Sequence, residues 1–168
     1  MALAPAQKVT LKAHIQSVPA LNTLYVDGNL DGLARALNED ASPVFWVWRT
    51  SVEKKEIVQS VSRTSTTFTW AGNGFIGRSA GEIDCWNQLF NTTLTCNPSL
   101  PNVRQAFIDI FSGTGNAALN RTHLDTVARR KASVVEKLFA TGTGADTAGG
   151  SATMTFQGPL PFTDLIGL

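Results

Sequence analysis

SAGEIDCWNQLFN, residues 79–91, reads as a helix that carries its own start signal. Ser79 can accept from the backbone N–H of Glu82 while Glu82 reaches back to the N–H of Ser79, a reciprocal capping box. Ile83, Trp86, Gln88, Leu89 and Phe90 follow at roughly helical spacing. Toward the C-terminus the grammar repeats. CNPSLPNVRQAFIDIFSG (96–113) has a Pro-rich loop, Asn102 as a cap, and Val103, Ala106, Phe107, Ile110 and Phe111 as one stripe, with Gly113 as a left-handed stop. NRTHLDTVARRKASVVEKLFATGTG (120–144) predicts the longest helix. Its apolar face is Leu124, Val127, Ala128, Val135, Leu138 and Phe139, and Gly142 terminates it.

Toward the N-terminus, residues 8–40 predict three short helices. Thr10 caps the first, over Leu11, His14, Ile15 and Val18, and Pro19 restarts the chain. Leu21, Leu24 and Tyr25 carry the second, which ends at Asp27-Gly28. Asn29 or Asp31 caps the third, over Leu30, Leu33, Ala34 and Leu37. SPVFWVWRTSVEKKEI (42–57) is ambiguous at first. Pro43 keeps Ser42 out of the α region and Val, Phe and Trp favour a strand, after which Val52, Ile57, Val58 and Val61 predict a helix. If the segment is extended, Trp46 and Trp48 share one face, and both faces need cover. In RTSTTFTWAGNGFIGR (63–78) alternation and the Gly72-Asn73-Gly74 turn signal predict a hairpin or extended loop near 64–77.

These readings make a mainly α fold: a small helical bundle over residues 1–140 with that inserted hairpin or loop. A Gly/Thr/Ala/Ser linker (141–151) and an extended C-terminal arm (152–168) follow. The arm is apolar, which for a chain end invites association.

At 168 residues the chain suits one domain with an arm, and 43% hydrophobic residues suffice for a core. Only 16% are charged, and 14 Lys and Arg against 13 Asp and Glu leave a net +1, so no global field draws the chain to nucleic acid or membrane. Cys85 and Cys96 fit a reducing cytosol better than a disulfide framework. No basic region followed by an apolar run opens the chain, so no signal peptide is expected, and no run is long enough to span a membrane. The N-x-T sequons at Asn91 and Asn120 are then incidental.

Chemistry is sparse. His14 lies on an apolar helix face and His123 opens a basic helix beside Asp125, both read as structural or surface residues without a third metal ligand. No GxSxG elbow is present. GNGFIG (72–77) lacks the Lys-Ser/Thr of a phosphate loop, and Asp27, Asp31, Glu39 and Asp40 are explained by helix ends. No enzyme, cofactor or metal is expected. Arg121, Arg129, Arg130, Lys131 and Lys137 form a basic cluster that suits either a solvated face or phosphate contact.

Short N-terminal helices, ASPVFWVWRT, SAGEIDCWNQLFN, SLPNVRQAFIDIFSG and RRKASVVEKLFATGTG with its extended tail together resemble small structural proteins of tailed-bacteriophage heads and necks, specifically head-to-tail adaptors (connectors). The resemblance spans nearly the whole chain through structural words without catalytic specificity. It implies a virion protein made in the bacterial host cytoplasm and placed in the neck, repeated as a ring, twelve-fold in expectation, below the portal and around the DNA channel. The implied partners are copies of itself, the portal protein and a tail or nozzle protein, with non-specific contact to channel DNA and no membrane. The interface residues expected are Phe156, Leu160, Phe162, Leu165, Ile166, Leu168, Trp46 and Trp48, and Arg129, Arg130 and Lys131 are the channel candidates. FTWAGNGFIG fits a capsid-cement or tail-completion protein equally well, and a small non-virion enzyme or host-interaction factor is the remaining alternative.

Overall fold

The computed structural model describes residues 3–91 and 93–168. In chain order come α1 (Pro5–Ser17), α2 (Pro19–Val26), α3 (Leu30–Asn38), β1 (Trp46–Trp48), β2 (Val52–Glu53), α4 (Lys54–Gln59) and α5 (Ala80–Leu89). Then follow β3 (Thr95–Cys96), α6 (Pro101–Ile110), α7 (Asn116–Val127), β4 (Arg129–Lys131), α8 (Val134–Leu138), β5 (Ala140–Thr141) and β6 (Thr153–Met154). The fold is mainly helical with short antiparallel strand pairs, β2 with β3 and β5 with β6.

The residues separate into two compact units, 3–47 with Lys131–Leu168, and Trp48–Arg130. This division departs from the expected domain over 1–140 followed by a linker and an arm. The long helix expected over 120–144 is the place where the two readings part. It is interrupted by β4, and α8 begins afresh at a second capping box, in which Ser133 N–H donates to Glu136 Oε2 at 3.0 Å and Glu136 N–H to Ser133 Oγ at 3.3 Å. Arg129, Arg130 and Lys131 therefore lie on a strand, where successive side chains alternate, and form no helix stripe.

In the first unit α1 starts at Pro5, whose fixed φ suits a first helical position. Thr10 caps nothing; its hydroxyl donates to Ala6 O at 3.1 Å inside the helix. Asn29 caps α3 by accepting from Gly32 N–H at 2.9 Å. Leu11, Ile15, Leu33, Leu37 and Val135 are fully buried, and they share one core with Phe156, Leu160 and Leu165 of the C-terminal segment. The expected linker is the tip of a hairpin instead. Ala140 pairs with Met154 and Thr141 with Thr153. Ala145 N–H donates to Gly150 O at 3.0 Å and Thr143 Oγ1 to the same oxygen at 2.8 Å, so the glycines serve a closed turn rather than a tether.

In the second unit the capping box of α5 is as the sequence predicts: Ser79 N–H donates to Glu82 Oε2 at 2.8 Å and Glu82 N–H to Ser79 Oγ at 3.3 Å. Trp86, wholly buried, sits at the centre of an aromatic core, with ring centroids of Phe90, Phe111 and Phe68 at 4.9, 5.5 and 5.7 Å. The helix expected from Val52 through Ser62 is only α4, because Val52 and Glu53 pair with Cys96 and Thr95. Residues 64–77 form an extended loop around a 3-10 turn at Gly72–Gly74, the second of the two forms expected. Leu100, followed by Pro101, caps α6 in place of Asn102.

Candidate functional site

The C-terminal segment is tied down along its length. Phe156, Leu160 and Leu165 are each 1% exposed. Asn38 and Leu160 exchange two hydrogen bonds, Leu160 N–H to Asn38 Oδ1 at 2.8 Å and Asn38 Nδ2 to Leu160 O at 2.9 Å. Gly158 N–H donates to Glu136 Oε1 at 2.8 Å, and the Tyr25 hydroxyl donates to Leu168 O at 2.6 Å. Phe156, Leu160 and Leu165 therefore serve their own unit's core, and Leu168 is half-buried in it. A 3-10 turn over Phe162–Leu165 buries Leu165 and leaves Phe162 and Ile166 on the outside, 47% and 57% exposed. The sequence marks the segment as apolar without distinguishing the two sets, because its partners Asn38, Tyr25 and Glu136 lie more than 20 residues away.

Trp48 is buried, with the Arg104 and Arg129 guanidiniums 4.9 and 5.8 Å from its ring centroid. That is a core residue under two cations, not an interface residue. Trp46 is half-buried.

In the second unit, Trp70 and Leu94, 46% and 69% exposed, border an apolar groove of about 340 Å³ with Val58, Lys54 and Lys55. Trp70 is the outer end of the aromatic core, packed edge-on against Phe68 at 4.9 Å and Phe75 at 5.1 Å.

His123 is wholly buried rather than on a surface. Its Nε2 lies 2.7 Å from Ile57 O and its Nδ1 3.0 Å from Thr66 O. One turn earlier, buried Asn120 accepts from Thr69 N–H at 2.7 Å and donates to Thr69 O at 3.0 Å and Gly74 O at 2.8 Å. The sequon at Asn120 is thus spent on holding the 64–77 loop to α7. His14 lines a first-unit cleft of about 320 Å³ with Ser42, Lys137 and three apolar side chains. Among the described residues no group of three or more His, Cys, Asp or Glu could hold a metal ion, and no helix is long and apolar enough to cross a membrane.

The chain matches no family model, no curated protein and no solved structure. Its reading therefore rests on its own residues.

Of the basic candidates, Arg129 Nε donates to Asp125 O at 2.7 Å and Lys131 Nζ lies 3.4 Å from Asp40. Burial pushes the Asp125 carboxyl above its ordinary range, while the charges of Arg129, Arg121 and Arg104 pull it back.

Proposed function

We propose that the chain is a structural subunit of a tailed-bacteriophage particle: a head-to-tail adaptor, repeated as a ring below the portal and around the DNA channel. The observation that carries this reading is the presentation of Phe162 and Ile166. Two large apolar side chains are held outward on a segment anchored by Phe156, Leu160 and Leu165. Groups fixed before docking lose little freedom when they bind, which favours a pre-formed contact edge. The reading differs from a disordered arm that orders on assembly: here the arm is already folded, and its outer face is what portal or neighbouring subunit covers. Weak identical contacts repeated around a closed ring support one another, so a small apolar edge per copy suffices. A net charge of +1 lets DNA slide past such a ring without tight retention.

The test replaces Phe162 and Ile166 together with Ser in the phage genome. The purified variant protein folds as the parent does, while particles lacking joined tails accumulate. Normal particle yield from the double variant would refute the assignment of this edge. Quantitative mass spectrometry of purified virions then decides the station: about a dozen copies per particle fits one ring, whereas hundreds indicate a decorated shell and none a non-virion factor.

A further inference from the structure

The first-unit cleft of about 320 Å³ is built from α1, the loop after α3 and α8. Val134, Lys137 and Leu138 stand three and four residues apart on α8, so they share the face that lines it. Ala41 and Ser42 of the loop and His14 of α1 complete the lining. The loop is fixed against the start of α8 by its backbone. Ala41 N–H donates to Ala132 O and Val134 N–H to Glu39 O, both at 2.9 Å. The walls are therefore in place before anything enters.

The polar groups of the cleft are few and unspent. Among the described residues Lys137 Nζ has no carboxylate or hydrogen-bond acceptor against it, and its contact is the Phe45 ring, 5.6 Å from the centroid. An aromatic face attracts a cation without cancelling its charge. No carboxylate lines the cleft among the described residues. Of the carboxylates nearest in sequence, Glu136 is buried and accepts from Ser133 and Gly158 N–H, and Asp40 lies 3.4 Å from Lys131 Nζ. Ser42 is exposed, and its hydroxyl meets no partner within the described chain. His14 packs as a wall, since its Nε2 is shut off from solvent and bonds to nothing. Ala41, Val134 and Leu138 make the remaining surface apolar.

A pre-formed concave site with apolar walls and a few convergent polar groups is the geometry of small-molecule binding. One ammonium sets the sign of the ligand, and a single positive charge suits a carboxylate better than a doubly charged phosphate. The two carboxylate oxygens can take one bond from the ammonium and one from the hydroxyl. We infer that this cleft binds a small monocarboxylate with an apolar body. Lys137 and Ser42 hold the carboxylate, and the alkyl or aryl part lies against Ala41, Val134 and Leu138. The inference does not depend on the adaptor assignment.

The experiment titrates the full-length protein with octanoate, following side-chain methyl signals by NMR, and repeats the titration with octylamine and with acetate. Saturable octanoate binding that shifts the methyls of Ala41, Val134 and Leu138 is the expected result. Octylamine, with the same body and the opposite charge, should bind at least about tenfold more weakly, and acetate, without the body, weaker still. Lys137→Gln should weaken octanoate about tenfold and Ser42→Ala roughly threefold. Ser42→Ala removes only an exposed hydroxyl without a partner, so the fold survives and that arm stays decisive even where the lysine variant is unstable. No saturable shift of these methyls overturns the site. So does octylamine or acetate binding as tightly as octanoate, or binding indifferent to both Lys137→Gln and Ser42→Ala.

Discussion

Asn120 shows how much one side chain decides in this protein. Its amide both accepts from and donates to the backbone of Thr69 and also donates to Gly74 O, all in a fully buried position. Asn120→Asp keeps the size but replaces the amide nitrogen, and with it both donors, by one oxygen that faces two carbonyl oxygens. Leaving buried carbonyls unpaired costs about 1–3 kcal/mol each, and an added buried charge costs more. The variant is therefore expected to lose at least about 3 kcal/mol in chemical denaturation, and a loss under about 1 kcal/mol would contradict the clamp. Glu82 gives a second prediction of this kind. Hydrogen bonds from the Ser79 backbone and hydroxyl, and secondarily Arg78, hold its carboxyl below the ordinary range. A depressed carboxylate stabilises the fold above its unfolded pKa, near 4.3 for Glu, and that stabilisation disappears as pH falls through the lower folded value. Glu82→Gln should lose stability relative to the parent at pH 7, and the gap should close at pH below about 4, as read from paired urea melts. A gap unchanged down to the lowest pH would show that the ionised form contributes nothing.

At the scale of elements, what was legible had a local signal. The α5 capping box, the Asn29 cap and the apolar stripe of α6 lie within a few residues of the atoms they satisfy, so the sequence displays both partners together. The break in the 120–144 stretch was also written locally, in Ser133 and Glu136, but an apolar periodicity continuing through Val135, Leu138 and Phe139 masks it. Burial of His123 and Asn120 was illegible because their partners, Ile57, Thr66 and Thr69, come from distant chain positions. The hairpin at 140–154 was hidden for a different reason: glycine-rich composition describes a tight turn and a loose tether alike. Gly144 separates the two. It has φ +70°, its carbonyl accepts from Trp46 N–H at 2.8 Å, and a Cβ there would collide with the Phe45 ring. Gly144→Ala is expected to cost about 1–3 kcal/mol, from strain at positive φ together with displacement of Phe45. In a free tether the same substitution would be neutral or slightly stabilising. A thermal melt gives the sign directly.

For the molecule as a whole, the C-terminal segment is the part whose role changes most between sequence and structure. Its apolar character suggested an arm that could be removed from a stable domain. Three of its large side chains lie in the core of their own unit, beside Leu11, Ile15, Leu33, Leu37 and Val135. Burying side chains of this size stabilises by about 1.5–3 kcal/mol each, so the three together contribute roughly 5–9 kcal/mol. That is comparable to the roughly 5–15 kcal/mol net stability of a whole domain. Deleting residues 152–168 should therefore unfold the first unit rather than release a competent body without its arm. In hydrogen exchange the amides of α3 and α8 would lose their protection, whereas the aromatic core of the second unit, complete within Trp48–Arg130, supplies no anchor from the deleted stretch. Phe162→Ser with Ile166→Ser is the informative contrast, because both side chains already face water and their loss removes little buried area. The double variant should keep full protection in α3 and α8. If the deletion left those amides as protected as in the full chain, the buried anchors would be contributing nothing, and the segment would again be a detachable arm.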